Sequence, residues 1–190
     1  MQGLYIENHK AWAITFPNLY FYARGMWDPG FDEQAALTEL CRDLYGPAAA
    51  PMERYYRLLE EAFATSTLHP HWGLADYHRL WDQPRVTTLG QLVEEAERLT
   101  ADASAPVRER VLYVRLEYNY LTDYLASMRQ AEAGNVSEGL AAAQRMLRTM
   151  ETQYQLNEDL CLRPECQKRI ERLMQELKER APATSRAPGE

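Results

Sequence analysis

Glycine is scarce in this chain, nine in 190 residues, which leaves little room for tight β-turns, so an all-β fold is not expected. Positive charge is also in deficit. Twenty-one Lys and Arg stand against 28 Asp and Glu, a formal net charge of −7, which disfavours a nonspecific nucleic-acid binder that must neutralise phosphates. No apolar run approaches the roughly 18 to 20 residues of a membrane span. There is no Gly-rich phosphate loop, H-E-x-x-H pair, Rossmann fingerprint or recognisable Ser-His-Asp set. Residues 1 to 10 have neither a basic n-region nor an apolar h-region, so no signal peptide is expected and no compartment is assigned. What is present is a 46% hydrophobic, 26% charged chain, the balance of a folded, acidic, mostly helical protein.

Residues 3 to 6, Gly-Leu-Tyr-Ile, read as a short buried strand, and it is nearly the only convincing strand in the sequence. A lone strand leaves its backbone groups unpaired, so its partners are expected outside these residues. An aromatic stretch from Trp12 to Trp27 follows, with Phe16, Tyr20, Ala23 and Trp27 at helical spacing. Pro17 is placed in its first turn, and Asp28-Pro29-Gly30 stops it. Asp32 caps a helix ending at Gly46-Pro47, with Leu37, Leu40, Cys41, Leu44 and Tyr45 on one face. A third helix spans about 49 to 64, with Met52, Tyr55, Tyr56, Leu59, Ala62 and Phe63 inward.

Residues 65 to 88 break the rhythm and read as a structured loop with at most one helical turn. Helical spacing returns at Leu89, Leu92, Val93, Ala96 and Leu99. Val107, Val111, Val114, Tyr118, Leu121, Leu125 and Met128 then form a heptad stripe spanning roughly 30 Å. Gly134-Asn135 turns the chain, with Asn135 and Glu138 placed as a capping box. Val136, Leu140, Ala143, Leu147, Met150 and Tyr154 repeat the heptad, so the two helices are expected to pack antiparallel. A last helix runs from about 165 to 180, and residues 181 to 190 form a tail. The predicted fold is an all-α helical bundle over residues 31–180, preceded by an orphan strand and helix over residues 1–30.

The candidate sites each compete with a plainer reading. Cys41 sits on an apolar helix face and reads as a buried small hydrophobe. Cys161 and Cys166 have no companion ligands for a closed zinc site, so no metal is expected. They are spaced for a small disulfide loop, although three cysteines is an odd count. His69, His71 and Trp72, with Asp76 and Trp81 beyond them, suit a loop facing a carbohydrate: indole faces stack on sugar C–H groups while imidazoles bond hydroxyls. Equally, the aromatics of this loop can simply plug the bundle. Glu7 and His9 directly follow the strand, with Trp12 just beyond. Polar groups at the C-terminal end of a strand in an α/β barrel line the mouth where substrate sits. Glycoside hydrolysis needs two flanking carboxyl groups, however, and one candidate cannot make an enzyme. Asn135-Val-Ser137 matches the glycosylation triplet, which matters only in a secretory eukaryotic setting.

Tyr20-Phe-Tyr-Ala-Arg-Gly-Met-Trp-Asp-Pro29, then Phe31-Asp-Glu33, Leu44-Tyr-Gly-Pro-Ala-Ala49 and Met52-Glu-Arg-Tyr-Tyr56 resemble the C-terminal end of bacterial alpha-glucuronidase-like glycoside hydrolases. The later stretches Gln91–Glu97, Val107–Val111 and Tyr118–Leu121 are similar to the helices that follow there, so the resemblance covers roughly residues 3 to 130. It implies that the strand and first helix are the end of a (β/α)8 barrel, whose catalytic carboxylates would lie upstream. The chain would then be the helical domain that supports that barrel, its partners being the upstream barrel and a saccharide. No catalytic residue, cofactor or metal is assigned within the chain. Glu7, His9, Trp12, His69, His71 and Trp72 are the expected saccharide contacts. A stand-alone protein-interaction module is the alternative.

Overall fold

The computed structural model describes residues 12–28, 30–68, 77–159, 161 and 163–180, with the side chains of 12–15 and 180 excepted. Among these residues are seven α-helices and no strand: α1 (Trp12–Trp27), α2 (Glu33–Tyr45), α3 (Ala49–Ala64), α4 (Gln83–Leu99), α5 (Ala105–Glu132), α6 (Val136–Leu156) and α7 (Arg163–Arg180). Short 3-10 turns occupy Gly46–Ala48 and Tyr77–Leu80. The fold is an all-α bundle, as the spacing of apolar residues predicts. The expected strand at 3–6 and the tail from residue 181 lie outside the described residues.

Local chemistry sets most of the helix ends. Asp32 Oδ1 accepts the N–H groups of Gln34 (2.9 Å) and Ala35 (3.1 Å), satisfying two of the free donors at the start of α2. At its other end Gly46 takes φ +50°, a sign of φ that glycine adopts without a Cβ penalty, and Pro47 opens the next turn. Asp28 ends α1 by accepting the Gly30 N–H at 3.0 Å. Between α5 and α6, Gly134 takes φ +81° and the Asn135 N–H reaches back to the Gln130 carbonyl at 2.8 Å.

Four expectations are corrected. Pro17 lies inside α1 and not in its first turn, because the helix already begins at Trp12. Helix α4 starts at Gln83, six residues before the first apolar position of its stripe. Asp82 is its N-cap, accepting the Arg85 N–H at 2.7 Å, and Pro84 occupies the first turn where no N–H is needed. The capping box at Asn135 and Glu138 does not form: the Asn135 side chain donates to Gln130 Oε1 at 2.8 Å instead. Phe63 is half exposed, set edge-on against Tyr77 and Trp81 at the rim of the core.

Helices α5 and α6 form the most extensive pairing, and they run antiparallel. Asp123 meets Arg145 at 2.6 Å, while Gly139 faces Ser127 and Ala131. A β-carbon at Gly139 would lie 3.1 Å from the Ser127 carbonyl oxygen, so the small residue permits the close approach. Helix α7 covers α6 through Ile170, Leu173 and Leu177, and α2, α3 and α4 complete the core around Met52, Leu89 and Val93. Cys41 is fully buried in that core, as expected, and burial pushes its thiol up to about 12.

Candidate functional site

The sequence-predicted site residues fall largely beyond what the structure describes. Glu7 and His9 lie outside the described residues, as do His69, His71 and Trp72. Trp12 begins α1, with only its backbone described. No side chain of these six residues is described. The structure does place the far side of the loop. Trp81 is only 7% exposed and His78 is buried with it, so Trp81 plugs the bundle and offers no free face to a sugar.

The segment Tyr77–Leu80 is fastened to α5. The His78 backbone N–H donates to Tyr124 Oη at 3.1 Å, and His78 Nε2 lies 2.8 Å from Glu132 Oε1. Arg129 donates to the Trp81 carbonyl and to Gln83 Oε1, both at 2.8 Å.

Helix α1 has a different character. It carries one charged side chain, Arg24, in sixteen residues. Arg24 donates to Glu39 Oε2 at 2.9 Å and to Tyr20 Oη at 2.9 Å, holding α1 against α2. On the same side Phe21 stacks near Phe31, and Gly25 leaves room for the Phe31 ring, whose Cε1 would lie 3.0 Å from a β-carbon there. A shallow groove of about 580 Å³ opens between Phe21, Tyr22, Met26 and Phe31. At 3.6 residues per turn, the side turned away from α2 holds Tyr22, Met26, Leu19, Ala23, Phe16 and Trp27, an uncharged and mostly apolar arc of about 140° whose polar members are Tyr22 and, by register, Thr15. Trp27 is 86% exposed, and Tyr22 and Met26 are more than half exposed. A surface helix normally presents polar residues outward, so a helix apolar on both sides is built for burial on both sides. The stripe read from the sequence, Phe16, Tyr20, Ala23 and Trp27, falls largely on this outward side, and Phe16, Ala23 and Trp27 are exposed there. The signal it passed over was the near absence of charge around the whole helix.

A second constellation lies between α2, α3 and α5. Tyr45 and Tyr56 share a hydrogen bond of 2.6 Å between their hydroxyls, and Tyr55 packs edge-on against Tyr56. Burial is the main cause raising all three phenols well above their ordinary range. Glu117 from α5 faces them. The residue keeps partial solvent contact, but its Oε1 is shielded and has no hydrogen-bond partner. Desolvation raises its carboxyl to about 8. Glu117 was visible in the sequence as a charge inside the apolar arc of α5, between Val114 and Leu121, and the heptad reading passed over it. Its chemistry is that of a protonated acid near neutrality. A hydrolytic pair would need a second carboxyl group beside it.

Among the described residues no group of three or more His, Cys, Asp or Glu is placed to hold a metal ion. Nor is any described helix long and apolar enough to cross a membrane. Comparison with models of protein families, with characterised proteins and with solved structures finds no match. The resemblance to alpha-glucuronidase-like glycoside hydrolases thus stands on its sequence motifs alone.

Proposed function

We propose that this chain is the C-terminal helical domain of a glycoside hydrolase-like protein, with α1 as the outer helix that closes the catalytic barrel and α2–α7 as the bundle that buttresses it. The outward apolar face of α1 carries the reading. A barrel helix buries an apolar stripe against its strands, and this helix has such a stripe left over after docking on α2. The quoted motifs support the same assignment, since Trp27-Asp28-Pro29 and Tyr45-Gly46-Pro47 are the stops that separate α1, α2 and α3. On this reading the chain is not catalytic alone. Glu7, His9, Trp12, His69, His71 and Trp72 would touch the saccharide from the barrel mouth and the adjacent loop.

The alternative, a stand-alone interaction module, uses the same face of α1 with a separate partner protein. Two measurements separate the readings. Amide exchange of α1 in the full-length source protein should be much slower than in the isolated chain, and equal exchange in the two would remove α1 as a docking helix. Reading the source frame upstream should reveal barrel-coding sequence, whereas an in-frame stop just before Met1 would leave only the module. For saccharide contact, Trp72→Ala in the full-length protein should weaken saccharide binding, and unchanged affinity would take the loop out of the site.

A further inference from the structure

Helices α5 and α6 are joined along one outer seam by Asp123, whose Oδ1 accepts from Arg145 Nε at 2.6 Å. That bridge fixes the antiparallel register. Counting back along α5 and forward along α6, Asn119 stands opposite Thr149, Leu116 opposite Thr152, and Leu112 opposite Leu156, the last residue of α6. A groove of about 390 Å³ lies along the seam, and among the described residues only α5 and α6 line it. The buried Leu116 forms its floor, and the Asp123–Arg145 bridge crosses it at one end. Beyond the other end Leu112 and Leu156 are 40% and 42% exposed.

Hydrogen-bonding capacity in the groove is unevenly used. Thr122 Oγ1 donates to the Asn119 carbonyl and Thr152 Oγ1 to the Arg148 carbonyl, both at 2.9 Å, so these hydroxyl protons are spent on their own helices. Among the described residues the Arg148 guanidinium, the Asn119 side-chain amide and the Thr149 hydroxyl have no partner. They stand at one level of the seam and hold N–H and O–H donors in excess of acceptors. Two guanidinium groups against one carboxylate give the groove a net positive charge on a chain of net −7.

We propose that this seam binds a medium-chain monocarboxylic acid, with its carboxylate on Arg148, Asn119 and Thr149 and its alkyl chain over Leu116 toward Leu112 and Leu156. Free donors around a guanidinium suit an anion with several lone pairs. The Asp123 carboxylate, one turn along α5, repels a second negative charge, which favours a carboxylate over a phosphate. From Asn119 to Leu112 the helix rises about 10 Å, the reach of an alkyl chain of about eight carbons. The Asp123–Arg145 bridge obstructs anything running the length of the seam, so a short ligand fits where a partner helix does not. The site lies apart from α1 and from the expected saccharide contacts, and its loss would leave the barrel reading untouched.

The test titrates the isotope-labelled full chain with sodium octanoate and follows its NMR signals. The Asn119 side-chain amide, the Thr149 amide and the Leu112 and Leu156 methyl groups should shift together and saturate with one dissociation constant. Butyrate should bind at least about tenfold more weakly, because each methylene it lacks would have been partly buried. Octanol, which lacks the charge, and octyl phosphate, which carries a second one, should each bind at least about fivefold more weakly than octanoate. Arg148→Gln should weaken octanoate binding at least about fivefold, and Leu112→Ser at least about twofold. Both positions are exposed, so the fold is kept. Octanoate shifts confined to α1, or spread along the chain without saturation, would overturn the proposal. So would unchanged affinity in Arg148→Gln, octanol binding as tightly as octanoate, or octyl phosphate binding more tightly.

Discussion

The Tyr118 ring of α5 lies directly against the Cα of Gly90 in α4, so that a β-carbon there would come within 2.8 Å of Tyr118 Cζ. Gly90 is buried in the middle of α4, where glycine ordinarily weakens a helix by about 1 kcal/mol relative to alanine. Its presence is explained by the phenol, held half-buried with the Arg115 guanidinium 5.6 Å from its ring centre. Gly90→Ala is expected to destabilise the chain by about 1–3 kcal/mol despite alanine's better helix propensity, because a stiff ring must move out of a packed contact. Urea unfolding reads this directly. Combining it with Tyr118→Leu should recover part of the loss, and strict additivity of the two substitutions would show that the ring is not what excludes the methyl group.

Glu117 makes stability depend on pH with an unusual sign. Its folded carboxyl is raised to about 8, above the ordinary value of 4.5, so the folded state holds the proton more tightly than the unfolded one. The stabilisation from the neutral carboxyl is complete below about pH 4.5, declines as pH rises toward 8, and is gone above it. The loss is roughly 2–4 kcal/mol, discounted for the residue's partial contact with solvent. Glu117→Gln keeps the shape without the charge. It should match the wild type near pH 5 and exceed it near pH 9, and parallel stability profiles for the two proteins across that range would refute the assignment.

The contrast between the helices and their sites has a physical origin. Heptad spacing in α5 and α6 reports which residues face a neighbour, because a helix repeats every 3.6 residues and only one arc meets the core. That is why Val111, Val114, Leu125, Met128, Ala143 and Met150 were legible and are buried. The same logic misread residues 83 to 88. Pro84 looks like a breaker in a list of residues, but behind Asp82 it is a helix-start signal, and the apolar stripe of α4 begins only later. Trp81 shows the opposite limit. An indole in a loop-like segment reads equally as a sugar platform or a core plug, and only the packing of Phe63 against it decides. The Tyr45–Tyr56 pair comes from the consecutive helices α2 and α3, and Glu117 reaches it from α5, some sixty residues on, so no local spacing announces their meeting.

Tyr124 ties the loop's return to α5 through a hydrogen bond to backbone. Its hydroxyl accepts the His78 N–H at 3.1 Å in a buried setting, while the His78 ring meets Glu132 on the outer side. Tyr124→Phe removes the acceptor and leaves the ring packing in place. A buried donor left unpaired costs about 1–3 kcal/mol, so the Tyr77–Leu80 turn should loosen more than the bundle beneath it. Amide exchange at His78 should accelerate by at least about tenfold, the factor that 1.4 kcal/mol of local opening implies. An unchanged His78 exchange rate would mean that Tyr124 Oη does not hold the turn.

Cys166 reactivity gives the last expectation. The hydrogen bond from Cys161 and the charge of Arg169 draw its thiol down to about 7, against opposition from burial and Glu165. A lowered value means that the thiolate, the reactive form, is already half populated near pH 7, whereas an ordinary thiol reaches that point near pH 9. Alkylation of the native reduced chain by iodoacetamide should therefore single out Cys166 at pH 7, with a rate that levels off above about pH 8. Cys41, pushed up to about 12 and fully buried, should react only after unfolding. Cys161→Ser weakens the donor and Arg169→Gln removes the neighbouring charge, so both should move the midpoint of the Cys166 rate profile upward. The serine variant should move it further, since the Cys161 hydrogen bond is the largest of the causes. A midpoint near pH 9 in the wild-type chain, or one that neither substitution shifts, would show that the two sulfurs do not share a proton.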